Sequence, residues 1–263
     1  MPNIEYHTPG SFCWIELATS DQNAVKKFYG ELFGWSVNDS PMGPNEFYSM
    51  FKINGRDVGA AYTLRPDQRA QGVPPHWMVY VAVESADEAA ERAAQLGGKV
   101  LAPAFDVFDV GRMAVLQDPT GATFSVWQPK KHTGTKITGV DGTLCWADLS
   151  TPDQNSAGDF YAKLFGWKIM KEDEDPAHNY HHIANGEDFI GGIPPASHRD
   201  PRTPPHWLIY FSVSDCEGVV TRAKGLGAKV YVPPMNIEDL GRMAVLADPQ
   251  GAAFAIFQAS RPA

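Results

Sequence analysis

Five residue types that can do chemistry occur twice in this 263-residue chain, in the same order and at nearly the same spacing. The first set is Trp14, Glu16, His76, Tyr80 and Arg112; the second is Trp146, Asp148, His206, Tyr210 and Arg242. Glu16 and Asp148 are flanked by apolar residues, so partial burial would raise their pKa and suit them to general acid/base work. An unpaired buried charge is expensive, and the favoured reading therefore pairs the two carboxylates with Arg112 and Arg242. An arginine held in this way can still orient a ligand carboxylate. His76 and His206 each follow Pro-Pro and read either as rim residues bonded to backbone or as ligand-contact and proton-transfer groups. The indole and phenol rings offer flat faces on which an apolar ligand stacks, unless they fill a core. No Ser-His-Asp order or reactive-cysteine setting emerges, because a triad is recognised by geometry.

The elements that must position these residues are duplicated with them. Phe12 to Leu17 returns as Leu144 to Leu149, and Phe28-Tyr29 to Trp35 returns as Phe160-Tyr161 to Trp167, both 132 residues later. Pro74-Pro75-His76-Trp77 and Gly111 to Leu116 return at an offset of 130, so an indel lies between the blocks. A repeat this long is a domain and not a solenoid unit, which divides the chain into 1–133 and 134–263. In the first half, 12–19 reads as a strand and Asp21 as the cap of a helix ended by Gly34. Strands follow around 35–39, 46–53 and 57–63, with Asn54-Gly55 as a hairpin turn. The stretch 65–75 reads as a loop. A second strand–helix–three-strand unit then runs from His76 through a helix at 87–96 to strands near 99–102, 111–117 and 122–128. Asp118-Pro119-Thr120-Gly121 forms the turn before the last strand, and a linker near 129–141 separates the halves.

Composition narrows the class. A net charge of −9 without a basic stripe argues against nucleic acid. No apolar run is long enough for a membrane span, and Met1–Gly10 lacks an apolar signal core. Cys13, Cys145 and Cys216 form no metal pattern, and Cys13 and Cys145 read as buried small hydrophobes. The expectation is a soluble cytoplasmic protein, monomer or homodimer.

Paired βαβββ units carrying Phe-Tyr-x-x-Leu-Phe-Gly-Trp and Gly-Arg-Met-Ala-Val-Leu-x-Asp-Pro-x-Gly resemble the vicinal-oxygen-chelate superfamily of glyoxalases, extradiol dioxygenases and bleomycin-resistance proteins. The resemblance covers about 11–129 and 143–259. It implies an α+β fold of two tandem domains, each built from two βαβββ modules that curl into a half-barrel cup. With strand alternation, the cup faces then carry Trp14, Glu16, His76, Met78, Tyr80, Ser125 and Trp127 in the first half. Trp146, Asp148, His206, Leu208, Tyr210, Ala255 and Phe257 match them in the second. The same parity places Arg112 and Arg242 inward, with Met113 and Val115 outward.

The superfamily usually binds a divalent metal through His, Gln or Glu on the first, fourth, fifth and eighth strands of the cup. Those positions fall here on Trp14 and Trp146, on Gly59-Ala60 and Gly191-Gly192, on Met78 and Leu208, and on Ser125 and Ala255, which lack the required donors. No metal and no other cofactor is expected, short of a site rebuilt around His76 and Glu16 or His206 and Asp148. His178, His181, His182 and His198 read mainly as exposed loop residues. The expected function is binding of a small aromatic or apolar molecule in aromatic-lined cups. The alternative is an enzyme of the superfamily, either a metal-using lyase, dioxygenase or hydroxylase or a metal-free acid/base catalyst using Glu16/His76 or Asp148/His206. A third reading is a scaffold with both cups packed shut.

Overall fold

The computed structural model describes residues 3–44, 46–171, 179–237 and 239–260. In the first half the order is β1 (Phe12–Thr19), α1 (Gln22–Phe33), β2 (Ser36–Gly43), β3 (Glu46–Ile53), β4 (Arg56–Thr63), a short α2 (Pro66–Ala70), β5 (His76–Ala82), α3 (Ala86–Gln95), β6 (Lys99–Val107), β7 (Gly111–Gln117) and β8 (Thr123–Pro129). The second half repeats it: β9 (Leu144–Ser150), α4 (Gln154–Phe165), β10 (Lys168–Lys171), β11 (His181–Asn185), β12 (Asp188–Ile193), β13 (His206–Ser212), α5 (Cys216–Gly225), β14 (Lys229–Ile237), β15 (Gly241–Ala247) and β16 (Ala253–Ala259). Local chemistry sets the boundaries. Asp21 and Asp153 accept backbone N–H groups in the first turns of α1 and α4. Gly34 and Gly166 end those helices at φ 71° and 75°, a left-handed cap that glycine adopts without strain. Pro66 at the start of α2 turns part of the expected loop 65–75 into one helical turn.

Each half is one eight-stranded sheet, in the order β2-β3-β4-β1-β5-β8-β7-β6 and β10-β11-β12-β9-β13-β16-β15-β14. The two modules of a half therefore meet within that half, through the antiparallel central pairs β1–β5 and β9–β13. Both central pairs slip register next to a cysteine, between Phe12 and Trp14 and, opposite Leu144 and Trp146, between Tyr210 and Phe211. Such a bulge turns successive side chains to one face. Phe12 thus packs on Trp167 and Trp207 of the other half, while Cys13 joins Trp14 in the cup cluster.

The helix-facing sides of both sheets share one core. Ile15, Leu17, Val79 and Val81 belong to the same buried cluster as Ile209, Phe211 and Phe254. Tyr29 on α1 touches Phe211 and Phe254, and Phe124 on β8 touches Phe160 and Tyr161 on α4. Two buried polar relays cross this junction. The Trp77 indole N–H donates to the Tyr29 hydroxyl (3.0 Å), which donates to Asp248 (3.2 Å); Trp207, Tyr161 and Asp118 repeat this at 3.0 and 3.1 Å. The Asp-Pro turns therefore hold their hairpins and also join the halves. Among the described residues no helix is long and apolar enough to cross a membrane.

Candidate functional site

The sheet faces turned away from the shared core line concave depressions, and the parity of β1, β5 and β8 holds there. Trp14, Glu16, His76, Met78, Tyr80, Ser125 and Trp127 line the first cup; Trp146, Asp148, His206, Leu208, Tyr210 and Phe257 line the second. β7 and β15 depart from expectation. Met113 lies opposite Trp127 and Val115 opposite Ser125, and residues directly opposed across a ladder share a face. Met113 and Val115 thus point into the cup, and Arg112 points out. Its guanidinium holds Asp87 in a two-pronged bond (2.7 and 2.8 Å), with Asp106 and the Ala104 carbonyl beside it. Arg242 pairs with Glu217 at 2.7 Å. Neither arginine meets a cup carboxylate.

Tyrosines hold the carboxylates instead. The Tyr80 hydroxyl donates to Glu16 at 2.7 Å, and Tyr48 also bonds Glu16 while accepting the Trp14 indole N–H at 3.0 Å. In the second cup Tyr210 donates to Oδ2 of Asp148 (2.7 Å), and Tyr180 (2.5 Å) and the Trp146 indole (2.9 Å) donate to Oδ1. Burial pushes both carboxyl pKa values up, against the hydroxyls that favour the ionised form. The same burial, with the neighbouring carboxylate, drives Tyr48, Tyr80 and Tyr210 well above the ordinary phenol range. These phenols stay protonated donors. Tyr48 and Tyr180 lie 132 residues apart, so the offset that related the other site residues also relates this pair. A Cβ at Gly192 would overlap the Tyr180 hydroxyl where it stands, while the first half carries Ala60 at the equivalent position.

His76 and His206 turn Nδ1 to the carbonyls of Pro74 (2.8 Å) and Pro204 (2.9 Å), two residues back. They stand at the rim as backbone-bonded residues, and burial lowers the His206 pKa. His198 is exposed, but His181 and His182 lie on β11, His181 buried at 2% exposure and His182 edge-on to Trp146 and Tyr180. The expectation that these two are exposed loop residues is corrected by the strand they occupy; His178 lies outside the described residues.

The two cups differ in cover. After β8 the linker crosses the first cup. The Trp127 indole donates to the His132 carbonyl (2.8 Å), the His132 ring meets Trp14 edge-on at 4.6 Å, and Thr135 N–H bonds the Cys13 carbonyl (2.8 Å). Cys13 is fully buried and Trp14 is 4% exposed. Beyond β16 the structure describes only Ser260. Trp146 is half-buried and Cys145 exposed, contrary to the expectation of a buried thiol.

The superfamily's metal requires several O, N or S donors converging on one point. Indole N–H is a donor only and cannot ligate, and the Trp14 N–H is already engaged by Tyr48. Among the described residues no three His, Cys, Asp or Glu side chains gather closely enough to hold an ion. The cup residues do not fit the superfamily's usual donor set.

Comparison with known proteins places the fold. The family described as Glyoxalase/Bleomycin resistance protein/Dioxygenase superfamily matches residues 11–126 and 143–256. The Mycobacterium bovis protein named "Putative glyoxylase CFP32" is 38% identical over 98% of both chains. The "Anthracycline biosynthesis protein DauV" of Streptomyces sp. is 34% identical over 95% of this chain and 94% of its own. A Mn(II)-bound glyoxalase from Novosphingobium aromaticivorans superposes with a TM-score of 0.67 at 15% identity, covering 95% of this chain and 82% of that one. A catechol 2,3-dioxygenase superposes at 0.63 and 13%, covering 98% and 95%.

Proposed function

We propose that this chain, which belongs to the Glyoxalase/Bleomycin resistance protein/Dioxygenase superfamily, is a small-molecule binding protein that seats a flat aromatic ligand in its second cup without a metal. One observation carries the reading: Asp148, with Tyr180 and Tyr210 donating to it, forms a polar anchor in an open cup walled by Trp146, Leu208 and Phe257. A pocket mostly apolar with a few convergent polar groups is the usual form of a small-molecule site. The name of the Streptomyces relative supports a ligand of fused aromatic rings. The half-buried Trp146 offers a stacking face.

Tryptophan fluorescence against a panel of polycyclic aromatic metabolites tests this. Saturable quenching is expected, with Trp146→Ala weakening the affinity roughly three- to tenfold, the scale of a lost stacking contact. Unchanged affinity in that variant, or no binding across the panel, refutes the reading. An acid/base enzyme is the second reading, favoured by the burial-raised Asp148 carboxyl. Its proton carrier would be Asp148 and not His206, whose Nδ1 is turned to the Pro204 carbonyl. Turnover of a panel ligand, lost in Asp148→Asn with binding retained, would establish it.

A further inference from the structure

The strap over the first cup adds polar groups to its wall. Glu16 is part-exposed to the cup, and its bonded neighbours are the neutral hydroxyls of Tyr48 and Tyr80. Among the described residues no lysine or arginine forms an ion pair with Glu16. Arg112 is engaged by Asp87, and Arg65 at the rim by Asp67. The surrounding walls are rings: Trp14, Tyr48, Tyr62, Tyr80 and Trp127. Two further polar atoms of this cup are buried without a hydrogen-bond partner, the Ser125 hydroxyl, in a residue wholly shielded from solvent, and His132 Nε2. The second cup has Ala255 at the position of Ser125. Polar atoms left bare inside an apolar wall cost free energy unless something bonds them.

We infer that the first cup is a separate site for a small organic ammonium ion, its charge on Glu16 and its body among the aromatic walls. A half-buried carboxylate bonded by neutral hydroxyls lacks a counter-ion, and an ammonium supplies one. Rings facing a cation attract it through their quadrupoles, most strongly where water is excluded. Burial raises the Glu16 pKa, and a bound cation offsets that by favouring the ionised form. Ser125 and His132 then offer bonds to a polar substituent of the ligand. This site goes beyond the aromatic-ligand reading of the second cup and stands or falls separately.

Isothermal titration calorimetry of the full-length protein with benzylammonium and with its neutral isostere, benzyl alcohol, tests it. The ammonium should bind at least about tenfold more tightly, the scale of one charge-assisted contact with cation–π support. Glu16→Gln should bring the ratio near one, while Trp146→Ala should leave it intact. Affinities within twofold in the wild-type protein, or no measurable ammonium binding, overturn the inference. So does a preference that survives Glu16→Gln and disappears in Trp146→Ala. The wild-type comparison decides even if the Gln variant folds poorly. Failure here leaves second-cup quenching by polycyclic ligands untouched, so the two readings are refuted by different results.

Discussion

Replacing Tyr29 by Phe should destabilise the whole chain and not just the half that contains it. The phenol ring is fully buried and packs on Trp35, Trp77 and Phe254, contacts that Phe retains. Only the hydroxyl is lost. It receives the Trp77 N–H (3.0 Å) and donates to Asp248 (3.2 Å) across the junction. Leaving two buried groups with one partner fewer costs roughly 1–3 kcal/mol each. Asp248 keeps bonds from the backbone N–H groups of Gln250 and Ala252, which lowers its share. The expected loss is about 2–4 kcal/mol. Because the core is continuous across both halves, urea unfolding followed by fluorescence and by circular dichroism should give one coincident transition, shifted as a unit. Tyr161→Phe should match it, since Trp207, Tyr161 and Asp118 repeat the arrangement. A loss below about 0.5 kcal/mol, within the range of ordinary surface substitutions, would show that the relay does not join the halves. Two separated transitions, one of them unshifted, would refute the shared core.

Gly192→Ala should force the Tyr180 hydroxyl away from Asp148, costing about 1–3 kcal/mol in chemical denaturation as other overpacking changes do. Second-cup quenching should weaken with it while benzylammonium binding is retained. Arg112→Ala, by contrast, should leave ligand affinity in both cups unchanged by calorimetry, because its partners Asp87 and Asp106 lie outside them. Asp148 carries a pH signature: its folded pKa is raised, so the native state holds a proton that the unfolded state has released. Stability should therefore fall as pH rises from the unfolded carboxyl value through the folded one. Denaturation midpoints measured across that window should flatten in Asp148→Asn, and an unaltered slope would contradict the assignment.

Much of this was readable in the residues, and the failures have specific causes. The duplicated motifs, the Asp21 cap and the Asp-Pro turns specify the modules because each is a local signal confirmed by its copy. Parity works for β1, β5 and β8, where Glu16, His76 and Ser125 mark one face as polar and Ile15, Leu17, Val79, Val81, Phe124 and Val126 the other as apolar. It fails for β7, since Met113, Ala114, Val115 and Leu116 are apolar on both faces, and only the pairing with Trp127 and Ser125 decides. The arginine pairing failed with it. Tyr48 and Tyr180 were within reach through the 132-residue offset, but the fold of β3 onto β4 and β1 is what brings Tyr48 to Glu16. The strap, the bulges beside Cys13 and Cys145 and the Tyr–Asp relays join residues distant in sequence. No local pattern announces them.

The most direct test of the account is ligand binding with metal removed. A polycyclic ligand that quenches Trp146 should be titrated calorimetrically into the protein before and after exhaustive dialysis against a chelator, with metal content measured by inductively coupled plasma mass spectrometry on the same samples. The tyrosine-held Asp148 and the aromatic wall predict the same affinity in both and no stoichiometric metal in either. Binding that disappears with a stoichiometric metal, and returns when that metal is restored, would contradict it.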